Sequence, residues 1–247
     1  MLLLNQKNLG EEALNKIARL ALKSQIRKAQ DLTVRVKTDP NLLAQGKLES
    51  LLIDGTGLVM GQNLRMEEMR LHMKTIAVSP FKALMGNIEL TQPTNGTACI
   101  RLTEADFNRA FNTKLLSDRI QALPTRQNQH PITLTPQSIH CHLLATGKIA
   151  IDVDLTVSPT GERQQVTLEA TPTMLGQEVV LANCHYSQGV EPYPEFTEIL
   201  RQKALDVLNL RDFEIQGISL YIEELTVESG QLTVCAIAKM THFPGKR

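Results

Sequence analysis

Hydrophobic and polar positions alternate with period two through much of this chain, and with the helical period in three places. Residues 148–157 show the alternation most cleanly. Ile149, Ile151, Val153, Leu155 and Val157 fall on one side, Asp152 and Asp154 on the other, the pattern of a strand with one buried face. Residues 32–37, 47–53, 71–78, 165–170 and 179–186 read as strands too, and 88–90, 98–102, 132–134 and 139–144 add shorter ones. Ser158-Pro159-Thr160-Gly161 and Glu228-Ser229-Gly230 are turn sequences. They join 148–157 to 165–170, and 214–227 to 231–240, as hairpins.

Two places break the alternation. Asp54-Gly55-Thr56-Gly57 predicts a bend or a bulge. Leu64 and Met66 sit in one phase while Met69, Leu71 and Met73 sit in the other, so the strand flips at Glu67-Glu68. Such bends let a sheet curl.

The helical period appears at 10–30, where Leu14, Ile17, Ala18 and Ala21 form a stripe. It returns from Thr103 to about residue 120, with Phe107, Ala110, Phe111 and Leu115 on one face, and at 195–208, with Phe196, Ile199, Leu200, Val207 and Leu208. The Thr103 hydroxyl is placed to cap the amide of Asp106, and Glu104 and Asp106 suit the positive end of the dipole. Residues 81–85 allow one further helical turn, closed by Gly86. The expected class is α+β: a strongly curved, mostly antiparallel sheet of roughly nine to eleven strands around amphipathic helices. Residues 1–247 are expected to form a single domain, the N-terminal helix within 1–30 and the sheet spanning 31–241.

Composition narrows the function. Lys plus Arg and Asp plus Glu number 26 each, so the formal net charge is zero, unlike the basic excess of a general nucleic-acid binder. Trp is absent and aromatics make up 4%, too few for base-stacking platforms. No apolar run approaches the ~20 residues of a membrane span. Met1 to Leu4 is too short for the apolar core of a leader sequence. Cys99, Cys141, Cys184 and Cys235 lie far apart in apolar strand patterns and read as four buried free thiols in a reducing compartment. The expected location is cytoplasmic, with peripheral contact to the membrane.

Candidate chemistry is sparse. His140 and His142 would share a strand face, and Cys184 or His185 could add a zinc ligand if their strands were neighbours. No metal-binding spacing supports this, and no metal or cofactor is expected. There is no Gly-x-Ser-x-Gly elbow and no phosphate-cradling glycine loop. Asp152 and Asp154 read as solvent-facing strand residues, and Glu104, Asp106 and Asn108 as helix-start residues. Lys16, Arg19, Lys23 and Arg27 form a basic row that is either a solvated face or a surface for anionic headgroups. Met66, Met69, Met73 and Met85 cluster with Phe81, Phe107 and Phe111 in one part of the sequence. Methionine suits irregular apolar partners, an ordinary core as well as acyl chains.

Between Leu64 and Leu116 the elements follow with almost no slack. A strand ends in Val78-Ser79-Pro80-Phe81, and Ala83-Leu84-Met85-Gly86-Asn87-Ile88-Glu89-Leu90 follows. After a Pro-containing turn comes Leu102-Thr103-Glu104-Ala105-Asp106-Phe107-Asn108-Arg109-Ala110-Phe111. This ordered set resembles the LmeA-like phospholipid-binding family, a bacterial family long known as a domain of unknown function. The resemblance is strongest over 51–111 and looser to about Met240.

It implies a fold similar to the tubular lipid-binding proteins, with phospholipid in a cavity under a curved sheet. On that reading the protein is not an enzyme, and its partners are a phospholipid or other acyl-chain ligand and an anionic membrane surface, not nucleic acid. The expected lining is Met69, Leu71, Met73, Phe81, Leu84, Phe107 and Phe111. The short N-terminal nub departs from exported members of the family. The rival readings are a protein-interaction or scaffold domain with a closed core and, more distantly, an enzyme using the His/Cys cluster.

Overall fold

The computed structural model describes residues 2–60, 64–85, 87–117, 123–127, 130–187, 193–210, 213 and 215–244, excluding the side chains of 2–10, 84, 114–117, 126 and 127. Among these described residues, five helices and eleven strands follow in order: α1 (Leu2–Lys23), β1 (Asp31–Lys37), α2 (Pro40–Ala44), β2 (Lys47–Met60), β3 (Leu64–Ala77), α3 (Pro80–Leu84), β4 (Thr94–Thr103), α4 (Glu104–Ser117), β5 (Leu123–Gln127), β6 (His130–Leu143), β7 (Ile149–Ser158), β8 (Glu162–Leu175), β9 (Glu178–Tyr186), α5 (Pro194–Leu208), β10 (Ile218–Glu228) and β11 (Gln231–Met240). Two sheets form, in the orders β1-β2-β3-β4-β11-β10 and β5-β6-β7-β8-β9. The fold is α+β with antiparallel sheets, one of them strongly curled into a half-barrel.

The chain divides into two compact units. The first takes Met1–Arg101, Phe213–Glu224 and Val234–Arg247, and the second Leu102–Asp212 and Leu225–Thr233. β10 and β11 therefore contribute residues to both.

In the first unit the β2–β3 ribbon carries the predicted bend. Pairing runs Gly55↔Met69 and Thr56↔Glu68, skips Gly57 and Glu67, and resumes at Leu58↔Met66 in unchanged register. The buried side switches there on both strands. Gly57 has φ +57, and a Cβ at this position would meet the Gln30 side chain at 2.6 Å, so glycine suits both the backbone and the space. A second skip falls between Leu48↔Ile76 and Ser50↔Lys74, where Thr75 takes φ 49. Two kinks in one two-stranded ribbon turn a flat pattern into a bent one.

Each long helix covers an open sheet edge with polar side chains. From α1, Glu11 accepts from the Thr38 N–H and Asn15 from the Val36 N–H. From α4, Glu104 accepts from the Leu143 N–H at 2.8 Å, and Asn108 both accepts from and donates to the Cys141 backbone, each at 2.7 Å. Asn112, the next residue in that i, i+4 series, donates to the Ile139 carbonyl. Just beyond α5, Asn209 makes the same two-way pairing with Val179. Backbone groups on the open edges of β1 and β9, and on the part of β6 that runs past β5, thereby find partners without another strand.

Several boundaries differ from the sequence expectation. α1 begins at Leu2 rather than residue 10 and ends at Lys23 rather than 30. The chain beyond it turns at Ser24 and Gln25 and bends at Arg27, and Lys28 bridges Val59. Residues 88–90 are not a full strand, since only Leu90 bridges Val78. α2 was hidden in what reads as a Pro break. Asp39 caps it, accepting from the Asn41 and Leu42 N–H groups, and Pro40 occupies its first turn, where a missing N–H does no harm.

Candidate lipid-contacting site

The inner face of the first unit's sheet is built in rows. Cross-strand pairing sets Val36, Leu51, Met73 and Gly96 in one row and Val34, Ile53, Leu71 and Ala98 in the next. Leu32, Gly55, Met69 and Ile100 make the third. Met69, Leu71 and Met73 share this face as predicted, and all three are buried. The rows shrink to Gly96 and Ala98 at the β4 side, so Met73 lies over bare backbone. An added Cβ on Gly96 would meet the Met73 sulfur at 2.5 Å. Met60, Met66 and Met240 are also buried in this unit. Burying a Met or Leu side chain contributes about 1.5–3 kcal/mol each.

Phe107 and Phe111 lie in the second unit. They stack on α4 with ring centroids 6.2 Å apart and are fully buried. α4 is held at its start by a reciprocal cap: the Thr103 hydroxyl accepts from the Asp106 N–H and donates to the Asp106 carboxylate at 2.7 Å. Its polar stripe sits along β6, and α5 packs beside it. Phe81 takes a different place from the other predicted lining residues. It is 73% exposed on α3, next to Met85 at 72%. The side chain of Leu84 lies outside the described residues.

Lys16, Arg19 and Lys23 are exposed on α1, with Leu20 protruding among them at 61% exposure. Arg27 is exposed too, but it lies in a bend after the helix end, so the row is not one helical face. No helix among the described residues is long and apolar enough to cross a membrane.

The His/Cys cluster separates. β7 and β8 lie between β6, which carries His140 and His142, and β9, which carries Cys184 and His185. The His142 ring instead bridges carboxylates, Nδ1 3.5 Å from Glu104 and Nε2 3.2 Å from Asp152. His185 faces Glu169, which also pairs with Lys148. Among the described residues no group of His, Cys, Asp and Glu is arranged to hold a metal.

The expectation of four free buried thiols is corrected. Cys99 on β4 and Cys235 on β11 form a disulfide between neighbouring strands. Cys141 is a buried thiol and Cys184 an exposed one, neither in a disulfide. Burial pushes the Cys141 thiol far up, with Glu104 and Asp152 adding to the shift, which disfavours the thiolate that a nucleophile needs.

A cleft of about 730 Å³ opens in the second unit, lined by residues including Pro124, Pro131, Ile132, Pro159 and Pro194. Among the described residues, none of the predicted lining residues lines it. Its apolar lining is these prolines and Ile132, beside the polar Thr125, Thr133, Ser158 and Glu195.

No curated protein matches the chain. The sequence profile of the LmeA-like phospholipid-binding family matches residues 6–237 of the 247, nearly the whole length, and the chain belongs to that family.

Proposed function

We propose that this protein binds phospholipid non-covalently, holding acyl chains against the apolar inner face of its first unit, with Met69, Leu71 and Met73 as contacts. Membership of the phospholipid-binding family carries the reading. The methionine-rich rows support it, because an unbranched thioether side chain re-packs around a chain of variable length more readily than a branched one. Each buried methylene contributes about 0.8 kcal/mol, so affinity requires no catalytic group. Phe107 and Phe111 offer a second apolar surface to the same class of ligand. The basic residues Lys16, Arg19, Lys23 and Arg27 are assigned to an anionic membrane surface, with Leu20 as an apolar anchor among the first three. Chemistry on the lipid has no part in this reading.

A scaffold domain with a closed core is the second reading. The near-complete burial of Met69, Leu71 and Met73 favours it. One paired experiment separates them. Native mass spectrometry of the purified protein reads co-purified phospholipid, and fluorescent-lipid uptake is compared for wild type and Met73→Trp beside chemical denaturation. If Met73 borders ligand space, uptake falls while stability holds. If Met73 fills a closed core, the larger ring overpacks it at a cost of about 1–3 kcal/mol. A large stability loss, with no lipid on the wild type, rejects the lipid reading.

A further inference from the structure

Phe81 and Met85 stand apart from the other apolar residues of the central stretch. They are separated by one helical turn, i and i+4, on or just after α3, and so project from the same side. Their exposures of 73% and 72% are the highest among the described large apolar residues of the first unit. The corner that carries them is firmly built. The Val78 N–H donates to the Gly46 carbonyl, the Ser79 N–H to Glu89 and the Thr91 N–H to Ala77. Gly46 approaches so closely that a Cβ on it would meet the Val78 carbonyl at 2.7 Å and Pro80 at 3.4 Å. Two large apolar side chains are thus held in water on a rigid mount, an unfavourable arrangement unless something covers them.

The charges around this corner indicate what does. Lys82 is paired with Glu89 at 2.6 Å. Lys47, opposite Ala77, and Lys74, opposite Ser50, are exposed at the same end of the β2–β3 ribbon. The corner therefore presents an apolar tip with positive charge beside it, complementary to the phosphate layer above a bilayer's acyl region. We propose that Phe81 and Met85 form a tip that inserts into the surface of a phospholipid bilayer. This rests on the phospholipid-binding reading above and adds to it the point of contact. The basic residues of α1 attract anionic bilayers by charge, whereas this tip would bind neutral bilayers as well.

The chain contains no Trp, so Phe81→Trp creates a single reporter at a site exposed enough to accept it. Full-length Phe81→Trp is mixed with vesicles of neutral phosphatidylcholine. Tryptophan emission should move to shorter wavelength, and lipids brominated near the headgroup end of the chain should quench it. Leu175→Trp, at a position 71% exposed in the second unit, should show neither effect. The double variant Phe81→Ser/Met85→Ser should lose vesicle partitioning by about tenfold or more. If Phe81→Trp emission is unmoved, or if Leu175→Trp responds equally, the assignment is overturned, and Met85→Trp repeats the test should the first variant fail to fold. Native mass spectrometry of wild type reads bound lipid independently. Lipid present with a silent reporter rejects the tip alone, and lipid absent rejects the underlying reading.

Discussion

Gly96 measures how closely two strands of the first unit approach. Its α-hydrogens face the backbone of β3, and a methyl group there would lie 2.2 Å from the His72 carbonyl oxygen and 2.9 Å from the Met73 Cα. Neither backbone atom can swing aside as a side-chain end could. Gly96→Ala should therefore destabilise by at least the ~1–3 kcal/mol typical of overpacking, read as a lower denaturation midpoint at unchanged slope. A change below about 0.5 kcal/mol, the range of ordinary surface substitutions, would show that β3 and β4 are not so tightly apposed. In the sequence Gly96 reads as a turn residue following Asn95. The structure instead starts β4 at Thr94, so Gly96 is a strand residue, and neither this nor its packing role was legible, because only the pairing Met73↔Gly96 sets it beneath a methionine.

At the scale of elements, the alternation of apolar residues placed most strands and the flip at Glu67-Glu68 correctly, since burial on one face is a local pattern. The edge-covering side chains were not legible in the same way. Glu104, Asn108 and Asn112 fall at i, i+4 and i+8, and a lone helix would simply show them to water. Their partners are backbone groups 27–39 residues away in sequence, which only the fold brings close. The basic residues of α1 pose the opposite case, a row that sequence spacing suggests and that the helix end interrupts before Arg27. Replacing Lys16, Arg19, Lys23 and Arg27 with Glu should abolish binding to anionic vesicles while leaving neutral ones little changed, at ~1 kcal/mol per basic residue. Retained anionic binding would make the row an ordinary solvated surface.

The molecule as a whole holds one long-range covalent tie, and its two ends were readable one at a time. In β4 the buried apolar positions are Ala98, Ile100 and Leu102; in β11 they are Leu232, Val234, Ala236, Ala238 and Met240. By alternation Cys99 and Cys235 both point away from the core, which argues against inert buried thiols. What the sequence lacked was the adjacency of β4 and β11, because the two cysteines are 136 residues apart. A link across so long a segment restrains the unfolded chain strongly, by about 5 kcal/mol on the chain-entropy argument and commonly 2–5 kcal/mol in small domains. Alkylation of unfolded protein without reductant should therefore modify two thiols, Cys141 and Cys184, and four after reduction. In the native state Cys184 should react first, since Cys141 is buried and held as the thiol. Adding reductant, or replacing both linked cysteines with Ala, should lower stability by about 2–5 kcal/mol. Four reactive thiols in the unreduced chain would mean that β4 and β11 are held by hydrogen bonds alone, and would restore the reducing-compartment reading of the cysteines.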